Sequence, residues 1–230
     1  MKRLPNLRSC NWFFAGLLFL IFFGLLILMM YGKPGSFIFL NTYHPFLLNV
    51  FFINYTFIGD GIFALCLIAL VLFYYKRKYQ GIVLLLSFLI SGLVAQVMKN
   101  IFNLPRPKLY FEAGQYLQYV DGVTLANHSS FPSGHTATAF AIATVFVLMM
   151  KNKKPQVLIL IAAALVGYSR IYLAQHFLLD IIVGALIGSG SGILSVYLAM
   201  NIQLAMPFSR KVQRVKMQRF LTRPSTVQPT

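Results

Sequence analysis

Carboxylates are almost missing from this chain. Its 230 residues include four of them, Asp60, Glu112, Asp121 and Asp180, against 20 Lys and Arg, and only 10% of positions are charged. A soluble domain is about a quarter charged, so an ordinary hydrated enzyme surface cannot be built from this composition. Hard divalent cations need clustered oxygen ligands, which four scattered acids do not provide. Cysteine is equally scarce: Cys10 lies in a basic N-terminal segment and Cys66 inside an apolar run. No disulfide framework and no thiolate metal site follows from that pair.

What fills the chain is apolar. Hydrophobic residues make up 58% of it, with 22 Phe and 12 Tyr, and the mean hydropathy is +0.73. Such a chain is not disordered. A net charge of +16 would suit a nucleic-acid binder, but that much apolar surface would not, so no nucleic-acid partner is expected. The class left is an all-α integral membrane protein. Its length suits one compact bundle.

A bilayer span takes about 20 mostly apolar residues. Six stretches qualify or nearly so: Asn11–Tyr31, Gly61–Tyr75 (or from Phe57), Gly81–Met98, Gly134–Met150, Gln156–Leu173 and Phe177–Leu204. The first is too long for the core of a cleaved signal peptide and reads as a retained anchor. Phe46–Phe57, interrupted by Asn49 and Asn54, reads as an interfacial helix. Residues 1–206 form the six-span domain, and 207–230 a basic, disordered cytoplasmic tail attracted to anionic membrane lipids.

The cations orient the bundle. With a cytoplasmic N-terminus, one side holds Lys2, Arg3, Arg8, Lys76, Arg77, Lys78, Lys151, Lys153, Lys154 and six further cations of the tail. Both termini are then cytoplasmic. The far side keeps Lys33, Lys99, Arg106, Lys108 and Arg170, together with all four acids and His44, His128, His135 and His176. One face is plain, and the other gathers every group able to run acid–base chemistry.

Three clusters stand at those outer ends. In the first, Lys99 and Arg106 are seven apart, with Pro105 and Pro107 stopping the helix and fixing Arg106. Alone, the pair also fits cations snorkelling to an interface. In the second, Pro132-Ser133-Gly134-His135 opens the fourth span. Ser133 suits an N-cap, the following N–H groups lack helical partners, and Gly134 leaves room for an anion. In the third, Ser169-Arg170 precedes His176 and Asp180, which at four apart share a helical face and can hydrogen-bond. An Asp on one imidazole nitrogen makes the other a better nucleophile or base. Cations, open N–H groups, two histidines and a carboxylate suit a phosphate monoester or diphosphate.

These residues carry a resemblance. Lys99, six residues, Arg106-Pro107; then Pro132-Ser133-Gly134-His135; then Ser169-Arg170, His176 and Asp180 are similar to the three-part signature of the type 2 phosphatidic acid phosphatase superfamily. That family is the membrane branch of the vanadium haloperoxidase-like fold. The resemblance implies that His176 attacks phosphorus to give a phosphohistidine, Asp180 orients it, and His135 serves as general acid and then general base. Lys99, Arg106, Ser133, Gly134 and Arg170 would hold the phosphoryl oxygens. No metal and no cofactor is implied.

The expected protein is therefore a metal-independent lipid-phosphate phosphatase of a bacterial inner membrane, its site facing the periplasm or exterior. Undecaprenyl diphosphate, phosphatidylglycerol phosphate, phosphatidic acid and lipid A phosphates are the candidate substrates. A lipid-to-lipid phosphotransferase would share the same intermediate. A transporter would place ionisable groups deep within spans rather than at their ends. Gly184, Gly188 and Gly192 read as a helix-packing stripe, and Asp60 as an interfacial cap. His44 and His128 read as loop residues, and Glu112, Tyr110, Tyr116 and Tyr119 as an aromatic belt or the mouth of a lipid path.

Overall fold

The computed structural model describes residues 10–111 and 119–205, with the backbone alone for 202–205. The basic tail 207–230, Lys2, Arg3, Arg8, Glu112 and Tyr116 lie outside the described residues. The described residues contain helices and no strand. In chain order these are α1 (Asn11–Leu40), α2 (Phe46–Tyr55), α3 (Gly61–Ala69), α4 (Lys78–Phe102), α5 (Pro107–Tyr110), α6 (Gly134–Met149), α7 (Gln156–Tyr172) and α8 (Leu178–Ala205). A 3-10 turn, Thr56–Gly59, joins α2 to α3, and α3 continues as a π turn over Leu70–Tyr74.

Each expected span meets a helix, and the differences are physical. Among the described residues three segments are long and apolar enough to cross a bilayer, Asn11–Leu40, Lys78–Tyr110 and Leu178–Asn201. Phe46–Gly59 and Gly61–Tyr74 meet at 57° and qualify only as a bent pair. α6 and α7 have 16 and 17 residues, about 24–26 Å of helix at the usual rise. α1 runs nine residues beyond its expected end at Tyr31. It does so across a break at Gly32, whose φ of 66° favours glycine, and Pro34 starts the second piece two residues later. That turn lays Lys33 over the Phe177 ring, with Nζ 4.2 Å from its centroid.

α6 is the centre. Alanine, threonine and valine dominate it, and nearly every residue from Thr136 to Leu148 is buried, the pattern of a helix covered on all sides. α4, α7 and α8 surround it, α8 most closely. The expected glycine stripe makes that closeness: a Cβ on Gly184 would stand 2.8 Å from the Ser133 carbonyl, and one on Gly192 2.7 Å from Thr144 Cβ. A Cβ on Gly188 would run into the Ala137 carbonyl. By contrast, α1 turns Phe19, Phe22, Met29 and Met30 outward, more than 60% exposed. A chain with such a face is made for an apolar solvent rather than water.

The end of α7 is clamped from α1 and α2. Asn41 Nδ2 donates to the carbonyls of Ile171 and Tyr172, both at 2.8 Å, supplying partners that helix C-termini lack. Tyr168 Oη donates to Leu40 O at 3.1 Å, and Tyr172 Oη to Asn49 Oδ1 at 2.5 Å. Arg170 lies within this clamped turn.

Candidate active site

The three clusters converge at one end of the bundle, where α4 ends and α6 and α8 begin. Ser133 is extended and caps α6, its hydroxyl accepting from Thr136 N–H at 3.4 Å and Thr136 Oγ1 at 2.9 Å. Lys99 stands beside this helix start, its Nζ 3.6 Å from where a Cβ on Gly134 would stand. Lys99 occupies the last turn of α4, which Asn103 closes in a left-handed conformation at φ 36°.

His176 and Asp180 do meet, but not along one helix. α8 begins at Leu178, so His176 precedes it. Asp180 lies in the first turn of α8 and reaches back: its Oδ2 accepts the Phe177 N–H at 2.9 Å, half of a capping box. Ser130 Oγ donates to the same oxygen at 2.5 Å. His176 Nδ1 is 3.5 Å from it, at the outer limit of a hydrogen bond and without good alignment. Asp180 also joins the second cluster to the third through its carbonyl, which accepts Ser133 N–H at 3.0 Å.

Burial decides the state of His176, which is 2% exposed. In the turn between α7 and α8 it is pushed down to about 4, chiefly by loss of solvent and further by Arg170 and Arg106. Asp180 opposes that shift without overcoming it. At neutral pH the imidazole is uncharged and holds a lone pair. With Nδ1 turned to the carboxylate, Nε2 is the nitrogen available for chemistry.

Arg106 is fixed by four contacts. Its N–H donates to Asn127 O at 2.8 Å and its Nε–H to His128 O at 3.0 Å. Nη1 donates to Gln175 Oε1 at 2.6 Å, and its carbonyl accepts Tyr110 N–H at 2.9 Å. Gln175 Nε2 in turn donates to Thr124 O at 2.8 Å. Arg170, 8% exposed, donates from Nη1 to Thr56 Oγ1 at 2.7 Å, and its buried Nε has no partner among the described residues. An unpaired buried donor in a cluster of cations has the form of a seat for an anion's oxygen.

All eight predicted residues thus belong to one neighbourhood. Sequence reasoning missed Ser130, Gln175, Thr56 and the carbonyls of Asn127 and His128, which orient it. Adjacency was the available signal, since Gln175 abuts His176 and Ser130 comes three residues before Ser133. Thr56 offered none, because only the packing brings it to Arg170. His44, expected as a plain loop residue, bonds Asn41 O at 2.9 Å and packs tilted against Tyr172, ring centroids 4.3 Å apart. Cys10 is buried and Cys66 exposed, with no disulfide between them. Among the described residues no three His, Cys, Asp or Glu side chains group as a metal site. A cavity of about 680 Å³ lies at the opposite end, lined by Leu67, Val71, Arg77, Phe146, Met149 and Lys151, remote from the histidines.

Residues 80–203 match the PAP2 superfamily. The chain is 32% identical over 148 residues to an undecaprenyl-diphosphatase of Sulfolobus acidocaldarius, spanning 64% of this chain and 67% of that protein. Phosphatidylglycerophosphatase B of Bacillus subtilis is 30% identical over 155 residues, 61% of this chain and 70% of that one. The crystal structure of Aquifex aeolicus LpxE superposes with a TM-score of 0.63 at 35% identity, covering 72% of this chain and 94% of that one.

Proposed function

The chain belongs to the PAP2 superfamily, and from that premise we propose a lipid phosphatase that works through a phosphohistidine on His176 without metal. One observation carries the mechanism: a buried, uncharged imidazole between a hydrogen-bonded carboxylate and three cations at an open helix end. His176 Nε2 attacks phosphorus as the bond to the lipid oxygen breaks. The leaving oxygen keeps the electron pair of the broken P–O bond and takes a proton from His135. Lys99, Arg106, Arg170 and the N–H groups after Ser133 hold the phosphoryl oxygens, where charge grows in the transition state. Water, deprotonated by His135, then attacks phosphorus, and the P–N electrons return to His176. Asp180 stabilises the imidazole while it is cationic.

The names of the two relatives point to a polyprenyl diphosphate and phosphatidylglycerol phosphate as first candidates; phosphatidic acid and lipid A phosphates remain in the panel. We place the site on the extracytoplasmic face of a six-span bundle with both termini cytoplasmic. The cations of the 76–78 and 151–154 segments, at the ends remote from the site, support that orientation. Exposed Trp12, Tyr74 and Tyr75 at those ends suit a membrane interface. A bacterial inner membrane is the proposed location.

The test is phosphate release from that lipid panel by detergent-purified protein in EDTA, beside His176→Ala. Release in EDTA, abolished by the substitution, is expected. Release that survives His176→Ala, or that requires added metal, overturns the mechanism. Labelling of an introduced cysteine near His135 from the cytoplasmic side overturns the orientation.

A further inference from the structure

One wall of the site belongs to none of the three clusters. The turn Thr56–Gly59 lies against the start of α6 so closely that a Cβ on Gly59 would stand 2.9 Å from the His135 carbonyl and 3.0 Å from its Cβ. Thr56 holds Arg170 on the same turn. Asp60 follows at once, and its two oxygens face different partners. Oδ1 accepts the Ile62 N–H at 2.7 Å, capping α3 and fixing the carboxylate. Oδ2 is 3.7 Å from His135 Nε2.

The two side chains are 36% and 30% exposed, respectively, so a substrate oxygen and water can reach them. His176 and Asp180, in contrast, are sealed at 2% and 3%. The site therefore holds two imidazole–carboxylate pairs in different surroundings, one sealed and one partly open. A nucleophile gains from dryness, because its lone pair must stay free of protons and water. An acid–base group needs the opposite, since it must deliver a proton outward and later accept one from water. Lys99, Arg106 and Arg170 surround His135 with positive charge, and Asp60 is the carboxylate facing its ring.

We propose that Asp60 is the positioning residue of the acid–base histidine. It holds His135 Nε2 and stabilises the imidazolium, while Nδ1 exchanges a proton with the leaving oxygen and then with water. This rests on the phosphatase reading above. In the first step the Nδ1–H bond breaks, a lipid O–H bond forms, and the ring is left neutral beside the carboxylate. In the second step the ring takes a proton back from the attacking water. Asp60 gains and loses none.

The experiment separates leaving groups. Dodecyl phosphate expels an alkoxide that must be protonated, whereas a long-chain nitrophenyl phosphate expels a stable phenolate that needs no proton. The value of kcat/KM for each is measured in EDTA for the wild type, Asp60→Asn and Asp60→Ser. Asn and Ser both keep an N-cap for α3, and thermal midpoints check the fold. The variants are expected to lose about tenfold or more on dodecyl phosphate and less than about twofold on the nitrophenyl ester, because general-acid help is needed only by the first. Equal losses on both esters, or none on either, overturn the assignment. A wild type inactive on both removes the phosphatase reading itself, and the inference with it.

Discussion

Gln175 is the sharpest probe of how the phosphate seat is held. Gln175→Met keeps the length and apolar bulk of the side chain but removes both of its polar contacts, to Arg106 Nη1 at 2.6 Å and Thr124 O at 2.8 Å. The residue is 4% exposed, so water does not simply replace them. A hydrogen bond from a charged donor contributes about 1.5–3 kcal/mol, and a neutral one about 1 kcal/mol. The charged one concerns catalysis. Without it the guanidinium keeps its Nε–H bond to His128 O and can pivot about that bond. If the charged contribution is realised in the transition state, kcat/KM falls about 10- to 150-fold. The bond to Thr124 belongs to stability, and its loss lowers the thermal midpoint. The assay is kcat/KM on a lipid phosphate for the wild type, Gln175→Met, Arg106→Ala and the double variant. A residue acting through Arg106 loses its effect once Arg106 is gone, giving a coupling of at least about 1 kcal/mol. Strictly additive losses would refute the reasoning, as would an unimpaired Gln175→Met.

Phosphoenzyme formation should hold steady as pH falls below 6 and decline only near pH 4, where His176 gains a proton and loses its attacking lone pair; a single-turnover profile breaking near 6.5 would contradict this. The same residue destabilises the fold in acid. The unfolded chain binds its proton from about pH 6.5 but the folded one only near 4. Stability is therefore full above the first value and falls toward the second, as melts across that range would show. Gly188→Val should cost about 1–3 kcal/mol by overpacking, because its Cβ falls on the Ala137 carbonyl and 2.9 Å from Ala141 N. Gly190→Ala, inside α8 with nothing within 4 Å of its Cβ, should instead raise the midpoint slightly, because alanine is the better helix former.

The residues proposed to meet the phosphate were legible as clusters because their spacing is local. Lys99 to Arg106, Ser133 to His135 and Arg170 to Asp180 each bridge one helix end. Their supports were not, since they depend on contacts between distant segments. Nothing in Thr56 or Asp60 announces that a 3-10 turn will lie on His135. The spacing of His176 and Asp180 suggested a shared helical face, yet the contact comes from a helix start, with Asp180 bending back to cap Phe177. The apolar runs found each of the described helices except the four-residue α5, and misjudged α1, where Gly32 interrupts the pattern and Pro34 restarts it. α6 shows the limit of span counting. It is short by the measure of a bilayer, and being covered by neighbours on every side, it does not need to present a full-length face to lipid.

The absence of space between α6 and α8 bears on how such a protein could diversify. The two histidines stand at or just before the first turns of helices whose backbones touch at three glycines. Any change in the distance between His176 and His135 would need those glycines replaced and both helices repacked. Lipid preference can drift more cheaply at the periphery, in α1, α2 and the 119–128 segment, none of which sets that distance. Selection for a new lipid should therefore enrich substitutions in those outer parts and leave Gly184, Gly188 and Gly192 untouched. A library confined to the interhelical seam should yield mostly inactive protein.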